Sequence, residues 1–184
     1  EWTDKNLGLV EASIGRMVPA LTPEQRAKDM LFICVEPYAL LPVDSAAFKG
    51  EIPDLKGLVP YTPFGFYIKR KLFIHNMGHA ICAYLGYGEG CEYIWQAAKK
   101  PEIVKKAREA MMVSAHALAK QYGEDLLPSL EEHVDDLLYR FKNKKLGDPV
   151  KRVGGDPIRK LRSNDRIIGA ALYALEQGID PTPI

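Results

Sequence analysis

The chain has 184 residues, 47% of them hydrophobic, enough for one domain with a sizeable core. Twenty-five basic residues against 24 acidic ones leave a net charge of +1, which argues against nucleic acid, an anionic membrane or a polyanionic partner as the main ligand. Three cysteines without CxxC spacing (Cys34, Cys82, Cys91) read as free thiols in a reducing compartment. With no apolar run near the roughly 18 residues of a membrane span and no signal peptide, a cytoplasmic protein is expected. The chain opens on Glu1, not Met, and a strand-like piece begins within a few residues, so it reads as a segment of a longer polypeptide.

Leu7–Ser13 and Met30–Val35 are short apolar runs with strand character. Between them, Thr22 followed by Pro23 predicts an N-cap and the first position of a short helix. Tyr38–Val43 suggests a further strand, limited to an edge by Pro37 and Pro42. The next stretch, FKGEIPDLKGLVPYTPFG, is punctuated by Gly and Pro and reads as a loop or lid over the helix after it.

That helix should begin between Pro63 and Ile68 and stop at Gly86-Tyr87-Gly88. A second helix fits Cys91–Lys99, and a third runs from Pro101 to about Tyr122, closed by Gly123. Ser129-Leu-Glu-Glu132 is a capping-box pattern for a fourth, with Val134, Leu137, Leu138 and Phe141 on one face. A basic loop, KNKKLGDPVKRVGGDPIRKLRSNDR, precedes a last helix capped by Ser163 or Asn164 and ending at Gly178. The expected fold is mainly α, a multi-helical domain with a few short β-strands near its N-terminus. Residues 1–60 form a β-containing crossover and lid region, and residues 61–178 the helical core.

The stretch KLFIHNMGHAICAYL, Lys71–Leu85, divides on a helical wheel at about 100° per residue. Phe73, Ile74, Met77, Ala80, Ile81, Tyr84 and Leu85 share one arc, while Lys71, His75, Asn76, His79 and Cys82 share a narrow opposite lane. Three readings of the lane are open. It is a buried helix whose histidines are satisfied by the backbone. Or His75 and His79, spaced i and i+4, bind a metal, although the sequence between them is Asn-Met-Gly and lacks the glutamate of HExxH. Or it is an acid–base site, in which a lysine takes a proton while an amide and an imidazole hold the reacting oxygen. No GxGxxG opens a βαβ unit, and no nucleophile elbow or P-loop occurs, so the chain by itself carries no recognisable cofactor-binding element.

Lys71, Asn76 and His79 form K-x4-N-x2-H, which resembles the signature of the polyol-specific long-chain dehydrogenases. The run RKLFIHNMGHAICAYLGY is especially similar to the mannitol-1-phosphate 5-dehydrogenase branch. GLVEASIGRMVP, VEPYALLPVDSAAFKGEIPDLKG and KRVGGDPIRKLRSNDR resemble further segments of that family, so the likeness covers nearly the whole chain.

The resemblance implies that residues 1–184 are a substrate-binding, catalytic C-terminal domain, inactive alone. Its own N-terminal Rossmann domain, absent from this chain, would hold NAD. The implied reaction takes mannitol 1-phosphate to fructose 6-phosphate by hydride transfer, with no metal. Lys71 would be the base, Asn76 would hydrogen-bond the developing alkoxide, and His79 would orient substrate hydroxyls. Arg152 and Lys160, with their neighbour Arg159, would bind the far end of a polyol or sugar phosphate. Where the family often reads VGR, this chain has Val153-Gly154-Gly155, one arginine fewer. Glu36 falls at a family-like position, as a structural ion pair or a substrate contact. The alternatives are a hexuronate (fructuronate or tagaturonate) reductase, a mannitol 2-dehydrogenase domain, or a non-catalytic helical interaction domain.

Overall fold

The computed structural model describes residues 1–19 and 21–184. Its first sixty residues are the least regular part. Helix α1 (Trp2–Asn6) buries none of its side chains. Helix α2 (Pro23–Lys28) starts where Thr22 and Pro23 predict. The Thr22 hydroxyl accepts from the Gln25 amide, and the Gln25 side chain accepts from the Thr22 amide.

Neither apolar run expected as a strand forms one. Leu7–Ser13 makes only an isolated bridge, Ala12 to Val43, and Met30–Val35 is turn and coil. A strand is stable only when a neighbour takes its backbone groups and a face takes its side chains. Here Leu9, Met30 and Leu31 stand 84–89% exposed. The sheet consists of β1 (Leu41–Asp44) and β2 (Leu58–Tyr61), paired in parallel with Leu41 opposite Leu58. Strand β1 lies slightly later than expected, and β2 falls in the stretch read as a loop.

From Gly65 to Gly88 one helical rod crosses the fold in three pieces: α3 (Gly65–Arg70), a π-helical turn (Lys71–Asn76) and α4 (Met77–Gly88). Helix α5 (Ile94–Ala97) is shorter than its expected span. Helix α6 (Pro101–Tyr122) has the bounds its Pro and Gly signals predict, with Gly123 at φ +138° closing it. Helix α7 (Leu127–Phe141) begins before the expected cap. Ser129 already lies inside it, its hydroxyl donating back to the Leu126 carbonyl. The basic stretch is not wholly loop, since it winds into a 3₁₀ turn and two short helices, α8 (Val150–Val153) and α9 (Pro157–Lys160). Helix α10 (Ile168–Glu176) ends the fold; its N-terminus has no side-chain cap.

Helix α4 packs on α5, α6 and α8, and the π turn meets α6, α7 and α10. Ile74, Met77, Met111, Leu118, Leu130, Leu137 and Phe141 are fully buried at these junctions. Each such side chain contributes about 1.5–3 kcal/mol by leaving water. The rod can approach α6 closely because Gly78 faces Met111, where a Cβ would come within 2.9 Å of Met111 Cγ. The mainly helical architecture with a small β part is as the sequence predicts.

Candidate active site

The rod is covered nearly all round. The expected apolar arc is inside, with Ile74, Met77 and Ala80 at 0–1% exposure. The polar lane is not a solvent face either: Cys82 and His75 are buried, and Lys71, Asn76 and His79 are half-buried. A π turn bonds residue i to i+5 and takes up an extra residue, so a straight wheel drawn from Lys71 misplaces the residues beyond it. Such turns recur at functional sites, and this one spans Lys71, His75 and Asn76. Burial pushes the Cys82 thiol up to about 12, which leaves it an inert core residue.

A strip of the first sixty residues lies beside Lys71. Lys71 shares a void of about 10 Å³ with Arg70, His75 and His133, lined on its other side by Ser13, Gly15, Tyr38 and Pro42. That is room for about one water. The strip is clamped from α7. Arg140 donates through Nε to Glu36 at 3.0 Å, through Nη2 to the same carboxylate and to the Gly15 carbonyl, and stacks its guanidinium over Tyr38 at 4.3 Å. Glu36 also accepts from the Met17 amide at 2.6 Å. Of the two roles the sequence left open for Glu36, this geometry is that of an ion pair.

The imidazoles here are neutral bases. Burial, with His79, Arg140, His133 and Lys71 nearby, holds His75 well below the usual histidine range. Burial, with Arg70 and Arg140, takes His133 down to about 3. For His79, burial outweighs the opposing pull of Asp148 and the value falls to about 4. The His79 ring lies stacked on Phe141, centroids 4.8 Å apart, and its Nε2 stands 3.5 Å from Asp148. His75 and His79 have ring centroids 6.4 Å apart, and among the described residues no group of three or more His, Cys, Asp or Glu side chains converges as a metal site would require.

Lys71 and His79 therefore line separate small voids on the rod, and Asn76 lines neither. The basic segment folds back against the His79 end: Asp148 pairs with Arg152, and Arg152, Arg166 and Lys160 are the cations that act on His79. Lys160 is buried, and burial together with Arg166 and Arg159 lowers its pKa. Arg159 is exposed and bound to Asp156 and Asp165. The sequence did not single out Asp148, His133, Tyr38 or Arg140. His133 was legible, since it stands three residues after Leu130 and next to Val134, half-buried at the edge of the apolar face of α7. Asp148 carried no local signal beyond preceding Pro149.

The helical domain is built around one rod, with a lysine and an amide on a π turn and an imidazole on the α-helix after it. Residues 65–184 match the family model of the mannitol dehydrogenase C-terminal domain, and the chain belongs to that family. It is 38% identical over 175 residues to a mannitol-1-phosphate 5-dehydrogenase of Brevibacillus brevis, a match covering 95% of this chain and 44% of that protein. The chain thus spans less than half the length of that relative. Among solved structures it resembles a substrate-free D-sorbitol dehydrogenase, with a TM-score of 0.76 and 19% identity over 99% of this chain and 38% of the other. It also resembles the Pseudomonas fluorescens mannitol 2-dehydrogenase in ternary complex with NAD and D-mannitol, with a TM-score of 0.70, 18% identity and the same coverage. Both likenesses show the fold.

Proposed function

We propose that this chain is the substrate-binding, catalytic-base domain of an NAD-dependent polyol dehydrogenase whose substrate is mannitol 1-phosphate. The observation that carries the reading is the 38% identity to a mannitol-1-phosphate 5-dehydrogenase along 95% of the chain. The placement of Lys71, Asn76 and His79 on one buried rod is consistent with it. Lys71 takes the proton of the substrate hydroxyl at Nζ, Asn76 donates to the oxygen as charge develops there, and the neutral His79 ring orients a neighbouring hydroxyl.

NAD would supply the hydride acceptor. The residues present do not fit a dinucleotide, because no strand–Gly-rich turn–helix unit occurs among the described residues. Its holder would be a Rossmann domain outside this chain, and the exposed apolar side chains Leu9, Met30, Leu31 and Ile33 suit a surface that such a domain covers.

One observation favours a second reading, a free polyol. Arg152 and Arg159 already have carboxylate partners, and Gly155 stands where the family often has a further arginine, so two of the three expected phosphate ligands are engaged elsewhere. The test is NAD-dependent oxidation of mannitol 1-phosphate and of mannitol by the longer protein that carries this chain. Preference for the phosphate supports the first reading, and preference for mannitol the second. Activity on neither overturns both and directs the assay to hexuronates.

A further inference from the structure

The geometry points to Asp148 as a positioning residue that holds His79 and Arg152 in one chain, fixing the histidine tautomer that meets substrate. The inference rests on the polyol reading of the site. His79 Nε2 is fully buried, and among the described residues it has no hydrogen-bond partner at ordinary length. Asp148 Oδ2 lies 3.5 Å from it, while the other carboxylate oxygen, Oδ1, takes the Arg152 guanidinium. A buried ring N–H without an acceptor costs free energy, and a few tenths of an ångström would bring this pair to hydrogen-bond length. Hydrogen bonds of this kind commonly run long in unliganded enzymes and tighten with substrate bound.

The surroundings leave the carboxylate little freedom. Asp148 is buried, its carbonyl accepts from the Ile94 amide at 2.9 Å, and Val150 donates to Glu92 at 2.9 Å, so the backbone on both sides of Pro149 is tied to the segment before α5. The imidazole is held flat on Phe141 with its planes only 12° apart. With the ring fixed and Nε2 turned to a carboxylate, the proton belongs on Nε2. Nδ1 is then a lone-pair acceptor, the form that can take a hydrogen bond from a substrate hydroxyl. Because Arg152 sits on the same carboxylate, the polyol's far-end contact and the histidine are set by one residue.

The experiment uses the full-length enzyme and Asp148→Asn. Long-range ¹H–¹⁵N spectra of histidine-labelled protein report the tautomer of His79, assigned through His79→Gln. The expected wild-type result is the Nε2–H form. In Asp148→Asn a mixture with the Nδ1–H form should appear, and KM for the polyol should rise roughly five- to tenfold, the effect of losing one ordinary hydrogen bond. Asp148→Glu should recover part of both. An Nδ1–H tautomer in the wild type overturns the inference even if the variant fails to fold. So does an unchanged tautomer in Asp148→Asn, whatever happens to KM. The spectra need no turnover, so absence of polyol oxidation would count against the proposed function and leave this result standing.

Discussion

Arg140 on α7 and Glu36, 104 residues earlier in the chain, form a buried two-pronged ion pair that pins the first part of the chain onto the helical core. The two side chains are 8% and 3% exposed, so neither charge can fall back on water if its partner is lost. Arg140→Ala leaves the Glu36 carboxylate buried and should cost about 3–5 kcal/mol. Replacing both, as Glu36→Leu with Arg140→Met, should cost less than Arg140→Ala alone. Urea unfolding of the three proteins checks this, and a double variant less stable than Arg140→Ala would contradict it.

Lys71→Ala in the full-length enzyme should lower turnover by roughly 10²–10⁴-fold, the usual worth of a general base, with the fold intact. Circular dichroism and steady-state kinetics on the same preparation separate loss of chemistry from loss of structure. Turnover near the wild-type value would remove Lys71 from the role of base.

Stability should fall as the medium is acidified through the range just below neutrality. His75, His79 and His133 all titrate lower folded than unfolded, His79 at about 4 and His133 at about 3. An unfolded histidine binds its proton near pH 6.5. Above that value both states are neutral and the histidines have no effect. Below it the unfolded chain takes up protons that the folded one refuses, until the folded values are reached. Urea midpoints should therefore drop from about pH 6.5 down toward pH 4, and His133→Gln should flatten that drop.

Gly78→Ala should destabilise by about 1–3 kcal/mol, because its Cβ would come within 2.9 Å of Met111 Cγ in a fully packed interface. Helix propensity acts the other way, by about 1 kcal/mol. The sign should therefore reverse in a Met111→Ala background, where the obstructing side chain is gone. Thermal denaturation of the four proteins of this cycle measures the coupling.

Where local chemistry decides, the sequence by itself determined the structure. Thr22 and Pro23 start α2, Pro101 and Gly123 bound α6, and the apolar spacing of Val134, Leu137, Leu138 and Phe141 gives the buried face of α7. Those signals act within about one helical turn, through a backbone hydrogen bond, a fixed φ or a repeating face. The same local pattern marked the rod that carries Lys71, Asn76 and His79, although a wheel could not foresee its π turn or choose among polar neighbours.

Tertiary structure alone decided what that rod faces. Asp148 lies beside His79, Arg140 pairs with Glu36, and Tyr38 lines one void with Lys71, all across separations that no periodicity encodes. It also decided that Leu7–Ser13 and Met30–Val35 do not become strands, since a β-ladder depends on a neighbouring strand that local propensity cannot supply. A buried charge or imidazole likewise takes its partner and its pKa from whatever the fold brings beside it, and that is a property of the packed chain, not of any segment.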